Sequence, residues 1–156
     1  MDSGTVNISA VVSRIEGLCS RRECCSKDIR EKLLKKGISR EKADEIVEKL
    51  VEQRFIDDRR YAVAFSRDKS SLSGWGVKKI EFQLKLKGIL PADIKEALQE
   101  VDDLKARGRM EEIIERKWRE LEREKELHTR RMKTIRFALG RGYTYEEVSQ
   151  FVKNLK

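Results

Sequence analysis

Apolar residues recur along this chain at helical spacing, and the same pattern returns three times. Three glycines, Gly37, Gly88 and Gly142, serve as anchors 51 and 54 residues apart. Six residues after each stand Ala43, Ile94 and Val148. Nine after stand Ile46, Ala97 and Phe151, ten after Val47, Leu98 and Val152, and thirteen after Leu50, Val101 and Leu155. Offsets of 6, 9, 10 and 13 trace one face of an α-helix. Before each glycine lies another helix-like stretch: SKDIREKLLKK, GVKKIEFQLKLK and RRMKTIRFALGR. A glycine between two such helices fits a helix C-cap, where φ is positive. The apolar residue that follows (Ile38, Ile89, Tyr143) then folds back on the helix end.

Start signals agree with this reading. Ser39 is placed to cap its helix, Pro91 suits a first helical position, and Thr144 with Glu147 forms a capping box. A third helix precedes each pair, over residues 8–22, about 58–69 and about 105–127. In the last of these Met110, Ile114, Trp118 and Leu121 share a stripe, and Glu112/Arg116 and Glu115/Arg119 are spaced as ion pairs. Ser20 with Glu23 would break the first helix early, and Gly140 would fray the eighth. The expected fold is all-α: three tandem three-helix repeats, 1–54, 55–103 and 104–156, in an elongated, curved array whose units bury more by packing on their neighbours.

Composition supports helices. Charged residues make up 41% of the 156 and hydrophobic ones 38%, with a single proline. No apolar stretch approaches the roughly 18 residues of a bilayer span. Three clustered cysteines, Cys19, Cys24 and Cys25, do not read as a disulfide framework; a reducing cytoplasm is expected. They lack zinc-ligand spacing, and the one histidine, His128, is far from them, so no metal or other cofactor is expected. Asp57 and Asp58 stand where a helix begins and read as caps rather than as catalytic acids. With one histidine and no nucleotide-binding or triad-like motif, an enzyme is not expected.

The net charge is +8, from 36 basic and 28 acidic residues. The last third holds 15 basic and 9 acidic groups, which suggests an anionic partner. Around a helix over 130–141, Met132, Ile135 and Leu139 form an expected core face. Arg130, Lys133, Phe137 and Arg141 form the opposite one, suited to a phosphate backbone or to a second core contact. Over 75–87, Val77, Ile80 and Leu84 make one face and Trp75, Lys79, Phe82 and Leu86 another, either buried between neighbours or open to a partner. The candidate binding set is Lys78, Lys79, Lys85, Lys87, Arg130, Arg131, Lys133, Arg136, Phe137 and Arg141.

Four segments carry a family resemblance. Cys25-Ser26-x-x-Ile29-x-x-Lys32-Leu33-x-x-Lys36-Gly37 resembles the opening motif of the RecX family. Phe55-Ile56-Asp57-Asp58-Arg59-Arg60-Tyr61-Ala62 and Gly76-Val77-Lys78-Lys79-Ile80-x-x-x-Leu84-x-x-Lys87-Gly88-Ile89 resemble its two central motifs. Arg136 to Tyr143 is similar to its C-terminal one. Cys25 stands where the family has a basic residue, and Ala138 where it often has leucine. The resemblance implies three tandem three-helix units, no enzymatic activity, and a regulator in recombination, repair and the SOS response. Such a protein binds in the groove of the RecA–DNA filament, limits RecA's ATPase, strand-exchange and coprotease activities, and also binds DNA; it is expected to be a monomer. Two other readings stand beside it. One is a free-standing DNA-binding helical protein, although no base-reading set is evident on any one helix. The other is a helical scaffold for an unrelated acidic protein.

Overall fold

The computed structural model describes residues 4–156, and all regular structure among them is helical. In chain order the elements are α1 (Ile8–Arg21), α2 (Ser26–Lys35), α3 (Arg40–Glu52), α4 (Asp58–Ser71), α5 (Val77–Leu86), α6 (Pro91–Gln99), α7 (Asp103–Glu120), α8 (Leu127–Gly140) and α9 (Tyr145–Val152).

The three glycine turns are built alike. Gly37, Gly88 and Gly142 have φ of 83°, 73° and 94°. The amide after each donates back five residues: Ile38 to the Leu33 carbonyl at 3.2 Å, Ile89 to Leu84 at 3.1 Å, and Tyr143 to Ala138 at 3.4 Å. This satisfies carbonyls that a helix end leaves open and swings a buried apolar side chain onto the last turn. The expected caps form as well. Ser39 accepts from the Lys42 amide, Asp57 from Arg60, and Thr144 and Glu147 complete a capping box. Pro91 opens α6.

Three apolar clusters lie in series. The first gathers Ile15, Ile29, Leu33, Ile46, Leu50 and Ile56; the second Ala62, Ile80, Leu84, Ile89 and Ile94; the third Met110, Ile114, Ile135, Tyr143 and Val148. Fully burying one such Leu or Ile is worth about 1.5–3 kcal/mol. Cys25, directly before α2, packs into the second cluster rather than the first and so ties the two together. α4 packs on α5, α6 and α7, linking the second core to the third unit.

Several local expectations are corrected. The helix expected to reach residue 127 ends at Glu120, and α8 starts only at Leu127. No glycine or proline stands at the break. The Trp118 carbonyl accepts the Leu121 amide at 3.2 Å in the closing turn, and the Arg130 guanidinium adds bonds to it at 2.6 and 3.1 Å. Ser20 donates its hydroxyl to the Glu16 carbonyl at 2.8 Å, and α1 runs on to Arg21 instead of breaking. Gly140 is the last residue of α8 with no early fray. The pairs Glu112/Arg116 and Glu115/Arg119 do not form; Arg107–Glu111 and Arg109–Glu112 do. In α8 the buried face is Thr134, Ile135 and Ala138, while Met132 and Leu139 are each 40% exposed. Thr134 can be buried because its hydroxyl donates to the Arg130 carbonyl. Val77, expected beside Ile80 and Leu84, is exposed.

Candidate functional site

The candidate binding residues sit on α5 and α8, and two joints place these helices. Neither α2 nor α5 caps itself with a side chain. At α2, the Asp58 carboxylate from the next unit accepts the Ser26 amide at 2.7 Å. At α5, the carbonyls of Arg141 and Gly142 accept the amides of Gly76 at 2.8 Å and Lys78 at 3.1 Å. Each unit thus supplies the acceptors that the preceding unit's second helix lacks. The second helices run head to tail, the carbonyl end of α8 against the N–H end of α5, an arrangement in which opposite ends of the helix dipoles meet. At the other joint, Lys27 from the first turn of α2 donates to the Leu86 carbonyl at 2.6 Å, and Lys87 pairs with Asp28 at 2.9 Å.

The joint between α5 and α8 is close. A side chain on Gly76 would overlap the backbone of Gly142 and Tyr143, and one on Gly142 would overlap the backbone of Lys79. The Arg141 guanidinium adds two bonds, to the Ser73 carbonyl at 2.5 Å and the Gly74 carbonyl at 3.1 Å.

These joints divide the ten candidate residues by what each side chain touches. Arg141 and Lys87 tie units together, and hydrogen bonding to Asp28 raises the Lys87 pKa. Arg130 holds the end of α7 and lies on the Trp118 ring, 3.9 Å from its centroid. Phe137 is half-buried, with the Lys117 ammonium 5.0 Å and the Arg141 guanidinium 6.0 Å from its centroid. Lys133 pairs with Glu124 at 2.8 Å and, by that hydrogen bond, lowers the Glu124 pKa. Lys85 pairs with Glu81 at 3.0 Å on an exposed side, and the Lys79 ammonium lies 4.3 Å from the Trp75 centroid. Arg131 is half-buried, and its Nε has no acceptor among the described residues. Lys78 and Arg136 are exposed and form no ion pair among the described residues.

Two features escape the sequence reading. Lys69 lies 4.6 Å from the Trp75 centroid, opposite in sequence order to Lys79, so that two lysines contact one indole. Lys27 borders the end of α5; its position ten residues before Gly37 matches that of Lys78 before Gly88, which is the signal that finds it. Phe82 and Leu86, one helical turn apart on α5, are 58% and 50% exposed. The face is therefore divided: Trp75 packs on the second apolar cluster, as the buried reading expects, while Phe82 and Leu86 lie open.

Asp57 and Asp58 are both committed to helix N-termini, as expected of caps. No group of three metal-ligating side chains converges among the described residues, and no helix is long and apolar enough to cross a membrane. The chemistry available is that of a surface: cations, the open apolar pair Phe82 and Leu86 on α5, and rigid placement.

Comparison with known proteins agrees with this architecture. Residues 57–98 match the description of the second three-helix domain of RecX, and residues 109–152 that of the third. The regulatory protein RecX of Pseudomonas putida (strain GB-1) is 30% identical over 135 residues, spanning 86% of this chain and 84% of its own. That of Clostridium tetani (strain Massachusetts / E88) is 29% identical over 130 residues, spanning 83% of this chain and 59% of its own. The chain thus spans somewhat under two thirds of the length of its clostridial relatives. A crystal structure of regulatory protein RecX superposes with a TM-score of 0.80 at 24% identity, covering 94% of this chain and 71% of that one. The crystal structure of RecX from Lactobacillus salivarius gives 0.73 at 21% identity, covering 95% and 98%. This chain belongs to the RecX family.

Proposed function

We propose that this member of the RecX family is a regulator of RecA that binds the RecA–DNA filament and restrains its ATPase, recombinase and coprotease activities. The observation that carries the reading is the family match across most of the chain. The serial arrangement of cores supports a multivalent mode. Three units, 1–54, 55–103 and 104–156, each meet a different protomer, and linkage makes the second and third contacts intramolecular. Two joints with side-chain and backbone bonds across them hold the units at set spacings, which cuts the ordering cost of binding a regular polymer.

The candidate residues take different parts in this reading. Lys78 and Arg136, exposed and unpaired, are the leading phosphate or filament contacts, with Lys79, Lys85, Arg131 and Lys133 beside them. Lys87, Arg130, Phe137 and Arg141 hold the surface in shape. The protein acts in the cytoplasm as a monomer and needs no cofactor.

The test is RecA's ATP hydrolysis on single-stranded DNA, with this protein added before or after filament assembly, beside a DNA-only titration at low and moderate salt. Sub-stoichiometric suppression, stronger when the protein is present during assembly, is the expected result. Unchanged hydrolysis by the cognate RecA, with DNA binding that weakens steeply with salt, would instead make the chain a free-standing DNA-binding helical array.

A further inference from the structure

Building on the RecA-modulator reading, we infer that the outward face of α5 grips the protein coat of the filament rather than its DNA, and that it takes an apolar patch with an acidic border. Equivalent positions in the three units show what is particular to this face. Six and two residues before the anchoring glycines stand Glu31 and Lys35, then Phe82 and Leu86, then Arg136 and Gly140. Only the middle unit is apolar at both, and there the two side chains are exposed.

A phenyl ring stacks on a base, but on DNA the methyl groups of Leu86 meet only a thymine methyl or a base step that must first be unstacked at an energetic cost. An apolar pair with an aromatic member inside a polar border has the anatomy of a protein interface, an apolar centre with a polar rim. The border is basic. The Lys27 ammonium sits at the Leu86 carbonyl, Lys78 is unpaired one turn before Phe82, and Lys85 is exposed with Glu81. The complementary surface is therefore acidic at its edge. A second copy of this chain does not fit, because it brings the same lysines and a net charge of +8. Two half-exposed apolar side chains are also too little for stable insertion into a membrane surface.

The experiment compares the full-length chain with its Phe82→Ala/Leu86→Ala variant. Three probes are titrated: cognate RecA assembled on single-stranded DNA with a non-hydrolysable ATP analogue, the same DNA alone, and vesicles of phosphatidylserine and phosphatidylcholine. The variant should lose at least about tenfold in filament affinity and stay within about twofold on DNA. Its far-UV circular dichroism should match the parent, since both side chains are exposed. Lys78→Glu/Lys85→Glu, which leaves the apolar pair intact, should also weaken filament binding. Undiminished filament affinity in the alanine variant overturns the inference, as does an equal loss on DNA, which makes Phe82 a base-stacking residue. Vesicle binding that the variant loses, with filament affinity kept, assigns the face to a membrane and overturns it too. If the parent chain binds no filament, the RecA-modulator reading itself falls and this inference with it.

Discussion

The carbonyl of Gly142 accepts the backbone amide of Lys78 at 3.1 Å, across 64 residues of sequence. That one bond places the turn of the third unit on the opening turn of the second unit's central helix. It requires that position 142 combine a φ of 94° with backbone-to-backbone approach.

Gly142→Ala is expected to lower stability by about 1–3 kcal/mol or more, from the positive φ and the overlap with Lys79 together. Gly140→Ala, two residues earlier at the end of α8 with open space around it, should stabilise by up to about 1 kcal/mol. Urea unfolding of both variants checks the contrast; equal effects would mean that the joint is not as close as described.

Asp58→Ala is expected to cost about 1 kcal/mol although Asp58 is the first residue of its own helix, because it removes the acceptor for the Ser26 amide of α2. Asp57→Ala should cost a similar amount through α4 itself. Amide hydrogen exchange separates the two: faster exchange at the start of α2 for the first, at the start of α4 for the second.

Arg141→Lys keeps the charge but cannot fork to the Ser73 and Gly74 carbonyls, and should lose about 1–2 kcal/mol. Arg130→Ala should lose a similar amount by removing both guanidinium bonds to the Trp118 carbonyl and uncovering the indole. Chemical denaturation with tryptophan fluorescence measures both. A full loss of DNA or filament binding with unchanged stability would make these side chains ligand contacts instead of structural ones.

Arg136→Ala should change stability by no more than about 0.5 kcal/mol, since the side chain is exposed and unpaired. If it meets a phosphate, the slope of log affinity against log salt on single-stranded DNA should fall by roughly 0.7. An unaltered slope removes Arg136 from the phosphate contacts.

Alkaline pH should destabilise the fold. Burial pushes the Cys19 and Cys25 thiols up to about 12, from 9.0 in the open chain, and the Tyr143 phenol up to about 12 from 10.0. Each group is kept neutral in the folded state. The stability linked to this is fully present below the open-chain values and is lost as pH rises from about 9 toward 12. Denaturant midpoints at pH 7.5, 9 and 10.5 should fall in order, less steeply in Cys25→Ala. A flat profile would show that these groups titrate freely in the folded protein.

Much of the local architecture is legible in the sequence because its causes lie within a few residues. A glycine at the helix end, an apolar residue after it, and a capping side chain ahead of the next helix make each turn. Offsets 6, 9 and 10 after Gly37, Gly88 and Gly142 follow from helical spacing alone, but at offset 13 only Leu50 is buried within its helix, since Val101 and Leu155 lie past the ends of α6 and α9. The candidate surface is less legible. Arg130, Arg136 and Arg141 look alike in a charge pattern, yet one holds a helix end, one is free and one bridges units. Met132 and Leu139 look like core, yet the packing of α8 turns Thr134 and Ala138 inward in their place. The end of α7 carries no local breaker, and the Arg130 contact to its Trp118 carbonyl is not legible in any short spacing.

The sequence by itself determined the all-helical class, the three glycine turns, most caps and the family, since each depends on residue type and short spacing. Only the tertiary structure decided which carboxylate caps α2, which carbonyls cap α5, and which lysines and arginines remain free to meet a partner. Both caps, and the ties of Lys87 and Arg141, depend on groups that lie 32 to 68 residues apart in the chain and become neighbours only when the units stack. At that separation periodicity carries no information, and burial and hydrogen-bond satisfaction decide the arrangement.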